Sequence, residues 1–269
     1  MTFTPSTITA GASSTMNIST SATTAAGTYP ITVTATGAPA THTTTVTLTV
    51  TAVTGGAPPK LVQSAAATAT STTTALTGTF GAPTAAGNLL VLSASVYTGA
   101  TNHLTSIIDS AGDTWKRVGS YSVSGHNSDG ELWYAVASAP STTVTARTSA
   151  AASMVFQVQE FSGIDPVNPL DTSVGTSNTG TAPNSGTLTP SAPNDLVVGF
   201  LAGHASTQTM SITTPGYTVQ PMQTTTGTAV TVRTGYQVLT SGSPIGIAGS
   251  FTTAMYWAAG AVAFRAASG

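Results

Sequence analysis

Cysteine is absent from the 269 residues, which removes disulfides and thiolate metal sites and with them the usual marker of an oxidising compartment. Charge is almost as scarce. Charged residues make up 5% of the chain, against roughly 25% in an ordinary soluble domain. The polar surface is therefore expected to consist of Thr, Ser, Asn, Gln and Gly. The six Lys and Arg, spread from Lys60 to Arg265, form no basic stripe, and the formal net charge is -2. Nucleic-acid binding needs clustered cations to displace counterions, and attraction to an anionic membrane needs the same, so both are excluded as expectations. Long apolar runs are also missing: Asn88-Leu89-Leu90-Val91-Leu92 is among the longest and falls far short of the roughly 20 residues of a membrane span. Met1-Thr2-Phe3-Thr4-Pro5 has neither the cationic start nor the apolar stretch of a signal peptide. The chain thus reads as a mature or excised piece of something longer.

What the sequence does contain is β pattern. Hydrophobic residues reach 40%, enough for a core, whereas disordered chains combine low hydrophobicity with high net charge. Residues 1–53 alternate Thr with apolar residues, as in Tyr29-Pro30-Ile31-Thr32-Val33-Thr34-Ala35 and Thr45-Val46-Thr47-Leu48-Thr49-Val50. Period two with β-branched enrichment predicts half-buried strands. The breakers Gly11, Gly27 and Gly37-Ala38-Pro39 divide the segment into about four of them. Gly55-Gly56-Ala57-Pro58-Pro59 reads as part of a linker over 54–59. Residues 60–269 carry strand candidates at the spacing of about 8–12 residues typical of sandwiches, the clearest at 89–97, 115–123, 131–137, 154–161, 196–201, 230–239 and 255–264. The Ala65-Ala66-Ala67 and Ala150-Ala151-Ala152 runs lack amphipathic partners and are read as strand or loop.

Two resemblances follow. Phe3-Thr4-Pro5-Ser6-Thr7-Ile8, Ala26-Gly27-Thr28-Tyr29-Pro30-Ile31-Thr32-Val33 and Thr44-Thr45-Val46-Thr47-Leu48-Thr49-Val50 resemble the C-terminal half of the Ig-like repeats of bacterial surface proteins. Such a half leaves an apolar face and strand edges open, so either the chain is truncated or a partner supplies the remaining strands. Residues 60–269 resemble a secreted bacterial module through Ala86-Gly87-Asn88-Leu89-Leu90-Val91, Asp109-Ser110-Ala111-Gly112-Asp113-Thr114-Trp115, Glu160-Phe161-Ser162-Gly163-Ile164-Asp165, Pro169-Leu170-Asp171 and Asn194-Asp195-Leu196-Val197-Val198-Gly199. That resemblance implies an all-β, jelly-roll or concanavalin-like antiparallel sandwich and no settled activity. An extracellular or cell-surface location follows by association.

Chemistry is sparse. No Gly-x-Ser-x-Gly elbow occurs, and the serines of Gly119-Ser120-Tyr121-Ser122-Val123-Ser124-Gly125-His126 fit a solvated hairpin. His42, His103, His126 and His204 are scattered and read as surface or loop residues, short of a zinc set. Asp129 and Glu131 share one side of a strand without the acidic cluster of concanavalin-like glucanases. Alternation from Met154 turns Glu160 toward the core, where an ion pair with Arg117, Arg147 or Arg233 is expected. Structural calcium could use the oxygens of Asp109 and Asp113, or of the 165–171 loop, although the same residues are good turn formers. Lys60 is a weak candidate for an isopeptide, and the threonines follow no period that ice binding would require.

Two functions survive. One is a non-catalytic module for surface adhesion or assembly, in an appendage, filament or multidomain surface protein, with homo-oligomers forming through residues 1–53. The other is a carbohydrate-binding module that stacks polysaccharide on Trp115, Tyr121 or Trp133. Core packing is the default for each of those rings. No enzyme activity and no cofactor beyond structural calcium are expected.

Overall fold

The computed structural model describes residues 1–20, 24–25, 27–50, 57–97, 103–123, 125–126, 128–204, 209–227 and 230–268. The described residues hold strands, turns and bridges and no helix. The chain divides into two compact units, Met1–Thr54 and Gly55–Gly269. Of the linker expected at 54–59, residues 54–56 lie outside the described residues.

The first unit has four strands in two pairs. Strands β1 (Thr2–Thr4) and β2 (Thr15–Asn17) form one short antiparallel pair, and β3 (Gly27–Thr36) and β4 (Thr41–Val50) form a longer one. In the β3–β4 register Tyr29 faces Leu48, Ile31 faces Val46 and Val33 faces Thr44, while Thr32, Thr34 and Thr36 face Thr45, Thr43 and Thr41. Because successive side chains point to opposite sides, the hairpin has one apolar face and one face of threonines. None of the described residues of this unit is buried.

The second unit is an antiparallel sandwich. Its first sheet orders β5 (Lys60–Thr68), β11 (Thr143–Ser162), β7 (Leu89–Tyr97), β10 (Ser128–Val136) and β9 (Lys116–Ser122) side by side. Strands β6 (Thr73–Thr79) and β8 (Leu104–Asp109) pair with the first half of β11. The second sheet orders β12 (Leu170–Gly180), β19 (Met255–Phe264), β13 (Leu196–His204), β17 (Val230–Val238) and β15 (Thr218–Val219), with β16 (Gln223–Thr224) also on β17. A small pair, β14 (Met210–Ile212) with β18 (Gly249–Phe251), completes the set.

Apolar side chains form three layers. Leu89, Val91, Leu132 and Phe161 of the first sheet meet Leu196, Val198, Phe200, Val262 and Phe264 of the second between the sheets. On the outer face of the first sheet, Leu90, Leu92, Val96, Phe156 and Val158 pack with Leu104, Ile107 and Val144. On the outer face of the second, Val197, Leu201, Ala259 and Ala261 pack with Met210, Ile247 and Phe251. Both faces of β7, β13 and β19 are therefore covered, which is why they read as unbroken apolar runs. Gln157 spans the sheets: its Oε1 accepts from the amide and hydroxyl of Thr234 (3.1 and 2.8 Å), and its Nε2 donates to the Pro221 carbonyl.

The two halves of the sandwich repeat one another. Taking the main strands of each sheet in chain order, both sheets run first, fifth, second, fourth, third. Leu89 lies between Phe161 and Val136, as Leu196 lies between Phe264 and Val238. Tyr134 thereby corresponds to Tyr236. Before each central strand comes a left-handed residue, Gly87 (φ 87°) or Asn194 (φ 69°). Its amide donates to Ala137 in one half and Leu239 in the other, and the amides of Ala137 and Leu239 donate back to Asn88 and Asp195. Glycine and asparagine are the residues that tolerate this conformation best.

Candidate functional site

One group of titratable residues gathers at the end of the sandwich where β7 stops and β10 begins. Asp129 and Glu131 stand two apart on β10, so both project from the same face as Trp133. Gly130 between them faces the second sheet, where Phe200 and Ala258 leave no room for a side chain. On neighbouring β9, Ser120 pairs in register with Glu131. His103 arrives from a different segment, immediately before β8.

These residues form one hydrogen-bonded group. His103 Nδ1 lies 2.5 Å from Asp129 Oδ2 and 3.9 Å from Glu131 Oε1. Ser120 Oγ donates to both oxygens of Asp129 (3.1 and 2.9 Å) and lies 3.0 Å from His103 Nδ1. Glu131 Oε1 accepts from the Leu104 amide at 2.6 Å, and Oε2 accepts from Trp133 Nε1 at 2.6 Å. Arg117 Nε is 3.3 Å from Oε2, while another guanidinium nitrogen donates to the Leu104 carbonyl at 2.6 Å. The two acids are buried, with side-chain exposure of 3% and 0%, whereas His103 is 41% exposed. Burial pushes the carboxyls of both Asp129 and Glu131 above the usual range, and the charge of Asp129 raises Glu131 further. His103, Asp129 and Glu131 each offer a ligand atom within 4.8 Å of the others, the set of three that could hold a metal ion.

The geometry argues against two familiar reactions. In a serine-hydrolase triad the acid and the serine use opposite ring nitrogens; here Asp129 and Ser120 both approach Nδ1. A glycosidase separates its carboxyls by about 5–9 Å; here an oxygen of Asp129 lies within 4.8 Å of an oxygen of Glu131, closer than that.

The other histidines of this unit are also at this end. His126 stacks on Tyr256 with ring centres 3.5 Å apart, and His204 stacks on Tyr97 at 4.0 Å. Burial, with the neighbouring His126, lowers the His204 pKa. His103 and His126 lie outside strands, as expected, and His204 ends β13; strand topology collects the three at one end. β9 and β10 pair antiparallel, the hairpin expected of the serine stretch, with Ser120 against His103.

The residues expected to bind sugar are placed by the structure in packing roles. Trp133 is 7% exposed, with the Arg117 guanidinium over its ring at 4.8 Å. The alternation that put it with Glu131 on the face opposite Leu132 and Tyr134 holds, but β8 covers that face. Tyr121 lies between the sheets, its ring against Gly175, Gly260 and Phe200. Trp115 is half-buried and donates from Nε1 to Asp109 Oδ2 at 2.7 Å. Trp133 is thus buried, while Trp115 and Tyr121 are partly exposed.

At Asp109 and Asp113, the residues offered for calcium, the contacts match the turn-former reading. Asp109 Oδ1 accepts the amides of Ala111, Gly112 and Asp113, which is turn chemistry. Asp113 Oδ1 accepts the amide and hydroxyl of Ser138. In the 165–171 loop, Asp165 caps the amides of Val167 and Asn168, and Asp171 pairs with Arg265 at 2.8 Å. Glu160 is fully buried as expected, but its partners are neutral: Gln63 Nε2 (2.7 Å), the Ala85 amide (2.8 Å) and Asn88 Nδ2 (2.7 Å). The expected arginines are elsewhere, Arg117 with Glu131 and Arg233 with the carbonyls of Gln220 and Met210, and Arg147 is exposed. Lys60 is exposed too, which an isopeptide lysine would not be.

The other candidate surface is the apolar face of the β3–β4 hairpin. Tyr29 and Val46 are 38% and 37% exposed, and among the described residues each of β3 and β4 pairs only with the other. Both outer edges are therefore open to a further strand. No family model, curated protein or solved structure matches the chain.

Proposed function

We propose that the chain is a non-catalytic extracellular module for surface adhesion or assembly, and that its first unit pairs with a strand from a second copy. One observation carries this reading: among the described residues of the first unit, none is buried. A two-stranded hairpin is at best marginally stable in water, and β3–β4 presents Tyr29, Ile31, Val33, Val46 and Leu48 on one side. Strand addition would satisfy an open edge, and the apolar face of the second copy's hairpin would cover that side. No charged residue occurs in 1–54, so nothing in the segment repels another copy of itself. The committed partners of the buried acids, and the geometry that argues against a triad or a glycosidase pair, support the absence of catalysis.

Light scattering coupled to size exclusion tests this with the whole chain and with residues 55–269, which hold all three apolar layers. The whole chain is expected to form dimers or larger species at micromolar concentration, and residues 55–269 to stay monomeric. Monomers in both cases would refute assembly through the first unit.

A further inference from the structure

We propose that His103, Asp129 and Glu131 form a binding site for a divalent transition-metal ion of the zinc class. The donor set is one imidazole nitrogen with two carboxylates. Imidazole favours zinc and its neighbours over calcium or magnesium, and calcium would need six to eight oxygens. A tetrahedral zinc ion with bonds of about 2.0–2.1 Å places its ligand atoms about 3.3 Å apart. The separations here, 2.5 Å from His103 Nδ1 to Asp129 and 3.9 Å to Glu131, straddle that value.

Three observations beyond proximity point to a cation. First, two carboxylates are buried against a single arginine, and Arg117 is 37% exposed and also engaged by the Leu104 carbonyl. Buried charges are paired or coordinate metals, and beside Arg117 the only cationic partner here is the titratable His103. Second, each acid already has outer donors: Ser120 on Asp129, and the Leu104 amide and Trp133 on Glu131. Such contacts hold ligating carboxylates in orientation, and an accepting oxygen keeps a second lone pair. Third, the fold does not require the acids. By the register shared between the halves, Thr231 occupies the position of Asp129 and Arg233 that of Glu131. The second half builds the same place without a carboxylate, so the first half's acids are an addition to a scaffold that stands without them. His103 is 41% exposed, which gives an ion a way in.

This site and the assembly surface lie in different units, so each can fail alone. The test uses the whole chain after chelator treatment, titrated calorimetrically with zinc chloride and, separately, with calcium chloride. Binding of one zinc per chain at micromolar Kd or tighter is expected, with no heat from calcium at the same concentrations. Cobalt chloride in place of zinc should give the intense visible bands of a four-coordinate site. Asp129→Asn and His103→Ala should each weaken zinc binding at least tenfold, while Glu160→Gln, at a buried acid remote from the group, should leave it unchanged. Circular dichroism establishes that each variant is folded. Absence of zinc and cobalt binding to the unaltered chain would overturn the proposal, as would unchanged binding in a folded Asp129→Asn, His103→Ala double variant.

Discussion

At the scale of single residues, the buried acids have distinct roles set by what surrounds them. Glu160 gathers three donors from β5 and the turn before β7. Replacing it by Ala leaves those donors facing an apolar cavity and is expected to cost about 3 kcal/mol, read as a lower urea midpoint. Tyr121 needs the opposite kind of neighbour. Its ring occupies the space that side chains at Gly175 and Gly260 would fill. Gly175→Val should therefore destabilise the sandwich by about 1–3 kcal/mol, seen in thermal unfolding. Asp195 is 1% exposed; burial, with the neighbouring Asp171, pushes its carboxyl up to about 6. A raised carboxyl favours the folded state while it is protonated. Its contribution is complete below the unfolded value of about 3.9 and is lost as pH rises through about 6. Relative to Asp195→Asn, the unaltered chain should thus lose about 2 kcal/mol between pH 4 and pH 8, measured by denaturant unfolding at each pH.

At the scale of elements, some structure was legible in sequence and some was not. The runs at 89–97 and 255–264 announce β7 and β19 because length, turn residues and apolar content agree there. Met154 to Glu160 shows its facing by simple alternation, and Glu160 is indeed turned inward. The short outer strands β6, β8 and β14 carry no comparable signal, and β8 decides what covers Trp133. An alternation pattern says which residues share a face; it does not say whether that face is wet. The same gap hid the His103 group, because Asp129 and Glu131 are visible as a pair on one strand while their histidine comes from a segment that only the topology brings near. The repeat of the two halves was hidden for a related reason: it survives in register and turn geometry, with Asn88-Leu89-Leu90-Val91 against Asp195-Leu196-Val197-Val198 as its faint trace. For the β3–β4 hairpin the pattern was sufficient, since the threonine and apolar faces follow from period two. Lysine at Ile31 and Leu48 together should abolish self-association by light scattering and leave the melting of the sandwich unchanged.

For the whole molecule, a sandwich with its own core and a segment none of whose described residues is buried occupy one chain. On the reading proposed above, the first unit holds its strands when a second copy covers them. Amide hydrogen exchange of residues 27–50, followed by mass spectrometry as a function of protein concentration, tests this most directly. The account predicts rapid exchange at nanomolar concentration and slow exchange at tens of micromolar, with the amides of β7 and β13 protected throughout. Equal, strong protection of residues 27–50 at every concentration would contradict it, because the hairpin would then be stable without a partner.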